Sequence, residues 1–134
     1  MGNRFYRLVC LLSLLIAAAP VLAHHSYADY DRDEVYEFRG TITEIHWGNP
    51  HIIFMVRSGT TTMRVEWVTV TGADKTTVSK DQFAVGDELV VIGSRNINHD
   101  RHIMAVVKEL LLPQKNFHWV SPSRSGNDKQ SLGL

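Results

Sequence analysis

Residues 35–47 read VYEFRGTITEIHW, in which apolar and polar side chains alternate on both sides of Gly40. Alternation that uses β-branched and aromatic residues is typical of a strand with one buried face. A glycine inside such a strand indicates a bulge or a sharp coil. We therefore expect a long first strand that coils strongly near its middle.

Four further strands are predicted from the same pattern, with short turns such as Gly48-Asn49-Pro50 between them. The one long connection without alternation lies between the third and fourth strands, at residues 72–80, and ends in a single turn at 79–83. The predicted strands cover residues 51–57, 62–70, 87–93 and 102–112.

This order of strands predicts an all-β fold, a small five-stranded OB-like Greek-key barrel. A two-sheet sandwich is the alternative, but a sandwich usually has about seven strands. Four aromatic residues are expected in the barrel core: Trp47, Phe54, Trp67 and Phe83.

Residues 1–23 have the three-part pattern of a bacterial export signal. Arg4 and Arg7 precede an apolar run over residues 8–19. Residues 21–23 then supply small side chains at the positions that a signal peptidase recognises. The run is shorter than the roughly 20 residues of a membrane-spanning helix. We therefore expect cleavage after Ala23, no membrane span after cleavage, and a periplasmic or secreted location.

The rest of the chain divides into three parts by composition. An extended N-terminal arm is predicted before the barrel, and a Ser- and Gly-rich tail without apolar density is expected to be flexible. The predicted bounds are 1–23 for the signal peptide, 24–34 for the arm, 35–113 for the barrel and 114–134 for the tail.

Composition excludes several classes of function. The 134-residue chain has room for one small domain and a formal net charge of +0. Its Lys and Arg residues form no run, so nucleic acid is not expected as a partner. The only cysteine is Cys10, inside the predicted signal, which leaves no disulfide, thiolate site or cysteine nucleophile in the processed chain. No catalytic motif of a hydrolase or phosphate-binding enzyme is present, so we predict that the protein is not an enzyme.

Histidine is the residue type that points to chemistry, because all 7 histidines follow the predicted cleavage site. If the processed chain begins at His24, its α-amine and its imidazole Nδ1 can chelate one metal ion. Ligation by nitrogen alone favours copper, and both groups lose their protons readily near neutral pH. His51, directly after Pro50, is the predicted third nitrogen ligand. His25 is the next candidate, because two adjacent imidazoles can hold Cu(I).

The competing interpretations are structural. An N-terminal His24-His25 pair is also typical of a solvated chain end, and His51 can instead hold the turn before it by a hydrogen bond. We expect His46 on the surface. The spacing of His99 and His102 fits neither one helix face nor one strand face.

The last histidine, His118, is expected to pack with Trp119 and dock the tail against the barrel.

Two other functions stay open at this point. A metal-free periplasmic interaction module can use the face and loops of an OB-like barrel to hold a peptide, a lipid or a partner protein, and fold alone does not choose the ligand. An oxidative copper enzyme is a third interpretation, but no further residue is evident to direct oxygen chemistry.

Several short motifs resemble an uncharacterised family of small secreted bacterial proteins, domain of unknown function 6152. The resemblance implies an exported small β-barrel and draws attention to His24, His25 and His51, but it implies no activity. The loop at residues 98–102 reads NHDRH, where the family pattern is richer in glycine. The motifs are HHSYA at 24–28, GTITEI at 40–45, WGNPH at 47–51 and VGDELVVIG at 85–93.

Overall fold

A computed structural model of the protein describes residues 27–122. Six strands and one short helix, α1 at Val70–Lys75, make up most of this part of the chain. The strands are β1 Tyr36–His46, β2 Ile53–Ser58, β3 Thr61–Glu66, β4 Glu88–Arg95, β5 Ile103–Leu112 and β6 Phe117–Val120.

The strands form one sheet in the order β3-β2-β1-β4-β5-β6. All neighbours in this order are antiparallel. A parallel pairing of β3 with β5, at Arg64↔Ile103 and Val65↔Met104, closes five of the strands into a barrel. The predicted all-β fold, a small five-stranded OB-like barrel, is confirmed, and β6 is an additional strand on β5.

Strand β1 is long because it pairs with two neighbours in succession. Residues 36–41 pair with β4, and residues 41–46 pair with β2. At Gly40 a side chain would collide with the backbone carbonyl of Arg57, so the close approach of β2 requires glycine there. The predicted coil lies at this crossing point, and the bulge itself follows between Ile42 and Glu44.

The core contains the predicted aromatic residues at one end of the barrel. Phe54, Trp67 and Phe83 are buried, and their ring centroids lie 5.0–6.0 Å apart. Trp47 is half-buried and packs against Trp67 and Phe83 at 6.3 and 5.9 Å. Helix α1 lies between β3 and β4 in the chain and begins at an N-cap, the Thr69 hydroxyl, which accepts a hydrogen bond from the backbone of Gly72.

The predicted flexible tail, residues 114–134, includes a segment that is ordered on the barrel. Residues 117–120 form β6 instead, and Trp119 within it is buried. Its indole Nε1 donates to the hydroxyl of Thr76 at 3.2 Å, and its ring meets Trp67 edge-on at 5.0 Å. The buried side chain of Trp119 therefore anchors β6 to the barrel. The strand itself is too short for its alternation to be recognised in the sequence. His118 does not share this packing, because it points outward to Glu109.

The N-terminal arm continues past the barrel along the end of β4. After a 3₁₀ turn at Tyr27–Asp29, Tyr30 forms a β-bridge with Asn96. The backbone N–H of Asp31 donates to the carbonyl of Arg95 at 3.1 Å. The arm is thus tied to the barrel by backbone hydrogen bonds from Asp29 onward.

Two predicted parts of the chain lie outside the described residues: the signal peptide, residues 1–23, and most of the tail, residues 123–134. Within residues 27–122, no helix is both long enough and apolar enough to cross a membrane.

Candidate functional site

His51 lies in the loop between β1 and β2, half-buried at the aromatic end of the barrel. Its ring nitrogen Nδ1 is 3.1 Å from the backbone carbonyl oxygen of Trp67. A carbonyl oxygen only accepts hydrogen bonds, so Nδ1 carries the hydrogen and Nε2 of the neutral ring carries the lone pair. Metal-binding histidines are oriented in this way, by a hydrogen bond from the nitrogen that does not bind the metal.

The backbone around His51 explains why its ring reaches this carbonyl. The N–H of Ile52 donates to the carbonyl of Val68 at 3.0 Å, and the N–H of Trp67 donates to the carbonyl of Ile52 at 2.8 Å. These bonds extend the β2–β3 ladder beyond its regular end. The Asn49–Pro50 peptide bond that precedes His51 is cis.

His46 belongs to the same loop region as His51. It is exposed, as predicted. A side chain at Gly48 would approach Nε2 of His46 to 2.8 Å, so the imidazole lies directly over the glycine backbone. From the sequence, His46 was expected only to lie on the surface. The signal for its position was the glycine two residues later in the WGNPH motif, because a side chain there would displace the ring.

A shallow cavity of 340 Å³ lies beside His46 on the outer face of β1, β2 and β3. It combines an imidazole, a thioether and one charge of each sign. Its lining residues are Glu44, His46, Ile53, Met55 and Arg64.

Tyr30 connects the N-terminal arm electrostatically to this face of the barrel. Burial raises the pKa of Tyr30 above 10.0, and the carboxylate charge of Glu66 raises it further. The positive charges of Arg64 and Arg101 act in the opposite direction. Glu66 is the residue before Trp67, whose carbonyl accepts the hydrogen bond from His51.

The structure describes one of the three predicted copper ligands. His24 and His25 lie outside the described residues, and His51 lies inside. Among residues 27–122, no group of three or more His, Cys, Asp or Glu side chains is placed to hold a metal ion.

The remaining histidines lie away from His51. His99 and His102 line one cavity at the opposite end of the barrel, a proximity that their sequence spacing did not reveal. His118 on β6 forms a contact of 2.9 Å between its Nε2 and Oε2 of Glu109.

The chain belongs to the family of unknown function DUF6152, whose family model matches residues 11–104. The matched region includes the N-terminal arm, His51 and the loop with His99 and His102. This finding confirms the family resemblance. No curated protein matches the chain.

Proposed function

We propose that the processed protein is a periplasmic or secreted copper-binding protein, in which His24 and His51 hold the ion. The ligands are the α-amine and Nδ1 of His24 together with Nε2 of His51, and His25 adds a further imidazole for Cu(I). The observation that carries the proposal is the contact between Nδ1 of His51 and the Trp67 carbonyl. The role that follows is copper buffering, delivery or sensing.

The fixed ring of His51 supports metal binding because it lowers the cost of ordering the ligand. An imidazole that already donates through Nδ1 presents Nε2 in one direction and in one tautomer. Three nitrogen donors suit copper better than the other first-row divalent ions.

The proposal requires the N-terminal arm to bring His24 to His51. The arm is tied to the barrel at residues 95–97, and the charge of Glu66, the residue before Trp67, contributes to the raised pKa of Tyr30. His24 precedes Tyr30 by six residues. Residues 24–26 precede the 3₁₀ turn at Tyr27–Asp29 and span at most about 10 Å when extended, so the proposal requires this short segment to turn toward the Trp67 end of β3.

The test compares two forms of the processed chain, one that begins at His24 and one with a single extra residue before it. Each form is titrated with Cu(II) and with Cu(I) against a competing chelator. The extra residue converts the α-amine into a peptide nitrogen, so we expect Cu(II) affinity to fall by more than the roughly 10–100-fold that is lost when only an outer-shell partner of a ligand is removed.

His51→Ala in the chain that begins at His24 is expected to lose Cu(II) affinity by at least about tenfold. His118→Ala is the matched control, because this histidine lies on β6 with Glu109 as its partner, and its copper affinity should not change. Equal, weak binding by all four proteins would overturn the proposal and leave the metal-free interaction module. Mass spectrometry of the exported protein tests the same idea, since a first residue other than His24 removes the amine ligand.

A further inference from the structure

The end of the barrel opposite to His51 contains a cleft of 310 Å³, and Arg95 is the one permanently charged residue of its lining within residues 27–122. Arg95 from the end of β4 meets His99 and His102 from the loop before β5. None of the cleft residues in the described part of the chain is an aspartate or a glutamate. The charge of this cleft therefore favours an anion.

Arg95 is held in place by contacts that leave part of its guanidinium without an acceptor. Its Cζ lies 4.6 Å from the centre of the Tyr36 ring, a cation–π contact that orients the planar group. Nη2 forms an ion pair of 3.4 Å with a carboxylate oxygen of Glu34, longer than the usual charged hydrogen bond. Nε is buried and has no hydrogen-bond partner within residues 27–122, which is costly for a donor. The part of Arg95 that a ligand in the cleft can reach is the 27% of its side chain that stays exposed.

Neutral donors surround the same space. Ser58 and Thr61, at the turn between β2 and β3, contribute hydroxyl groups to the lining. Asn96 also lines the cleft; it is buried, and its Oδ1 accepts a hydrogen bond from the backbone of Asn98 at 2.9 Å, which leaves the NH₂ group of its amide as a donor.

We propose that this cleft binds the oxyanion group of a small ligand, a carboxylate or a phosphate, with Arg95 as the principal donor. Arginine suits this role because its planar fork matches both groups with two parallel hydrogen bonds. A volume of 310 Å³ lies at the lower end of small-molecule sites. The site is separate from the proposed copper ligands, so each proposal can fail without the other.

To test the proposal, the metal-free processed protein is titrated with inorganic phosphate and, separately, with succinate. Binding is followed by the NMR shifts of the backbone amides. Sodium chloride at matched ionic strength controls for screening. We expect saturable shifts at residues 95–102 and at the β2–β3 turn with at least one of the two oxyanions, and not with chloride. The probe that binds more tightly, phosphate or succinate, identifies the class of oxyanion.

Arg95→Gln should weaken oxyanion binding by about tenfold or more, because it removes a charge-assisted pair of hydrogen bonds. Arg57→Gln is the matched control, since Arg57 is an exposed arginine of β2 outside the cleft, and it should bind like the unchanged protein.

His102→Asn provides a second variant that keeps Arg95 and its packing on Tyr36. Asparagine tolerates the left-handed backbone of this position, where φ is 49°, so the variant is expected to fold and, because it removes an imidazole from the lining, to bind several-fold more weakly. The proposal is overturned if neither oxyanion produces shifts beyond those of chloride. It is also overturned if Arg95→Gln folds and weakens binding no more than Arg57→Gln, or if the shifts cluster away from the cleft.

Discussion

The two ends of the barrel differ, although the same strands run through both. At one end, buried rings of Phe54, Trp67 and Phe83 fill the interior. At the other end, β4 and the loop before β5 contribute Arg95 and two histidines to an open cleft. The difference shows how a small barrel can concentrate its packing at one end and leave polar groups accessible at the other.

His51 belongs to the well-packed end of the barrel. Its ring is attached to the well-packed end through the carbonyl of Trp67, a residue that contacts three other aromatic rings of the core and one on β6. In the proposed copper site, a ligand oriented by rigid structure would lose little freedom on binding the ion. The cleft at the other end relies instead on charge and on hydrogen-bond donors.

The largest expected change in the free energy of unfolding comes from replacing a phenylalanine, and the chain offers one such residue at each end of the barrel. Phe54→Ala should lower the free energy of unfolding by about 3–5 kcal/mol, because it leaves an enclosed void among rings that cannot collapse. Phe38→Ala should lower the free energy of unfolding by less, since Phe38 lines the open cleft and its removal enlarges a space that water already reaches. Urea denaturation of both variants measures the difference, and equal costs would contradict the contrast between the ends.

A threonine at each end gives a second, smaller test. Thr76→Val removes the acceptor of the buried Trp119 indole N–H, and we expect a loss of about 1–3 kcal/mol in the free energy of unfolding. Thr61→Val at the cleft should change it by less than about 0.5 kcal/mol, the usual range for a site away from buried features. A loss for Thr76→Val as small as that for Thr61→Val would mean that β6 does not depend on this bond.

The smallest effect concerns the arm at high pH. The pKa of Tyr30 is raised above 10.0 in the folded protein, so the folded state keeps a proton that the unfolded state releases. Stability should therefore fall as the pH rises from about 10 through the folded pKa. Tyr30→Phe should flatten that part of the stability curve, as measured by urea unfolding at a series of alkaline pH values. An unchanged slope would show that Tyr30 is not buried against the barrel in solution.

The alternation of side chains predicted most of the fold because it reports a local property, the burial of one strand face. The pattern at residues 35–47 became β1, which spans Tyr36–His46. The same method missed β6, since four residues after a proline turn give too short an alternation. Residues 68–70, predicted as the end of the third strand, instead lead into α1 at Val70, because the Thr69 hydroxyl caps a helix there.

The candidate sites were less predictable than the fold. His51 stood out from its place after Pro50, but its partner, the carbonyl of Trp67, depends on the register between β2 and β3. The cleft was not predicted at all. Its charged residues are adjacent to turns in the sequence, and the hydroxyl groups that face them come from a different hairpin.

Composition and periodicity alone determined that this chain is a small all-β barrel that contains 7 histidines. Folding determined which groups meet, because the parallel contact between β3 and β5 joins segments far apart in the chain. Strand periodicity is set by neighbouring residues and is visible in the sequence. The closure of the barrel is set by pairing between distant strands, and this pairing brings Arg95, His99 and His102 to the β2–β3 turn.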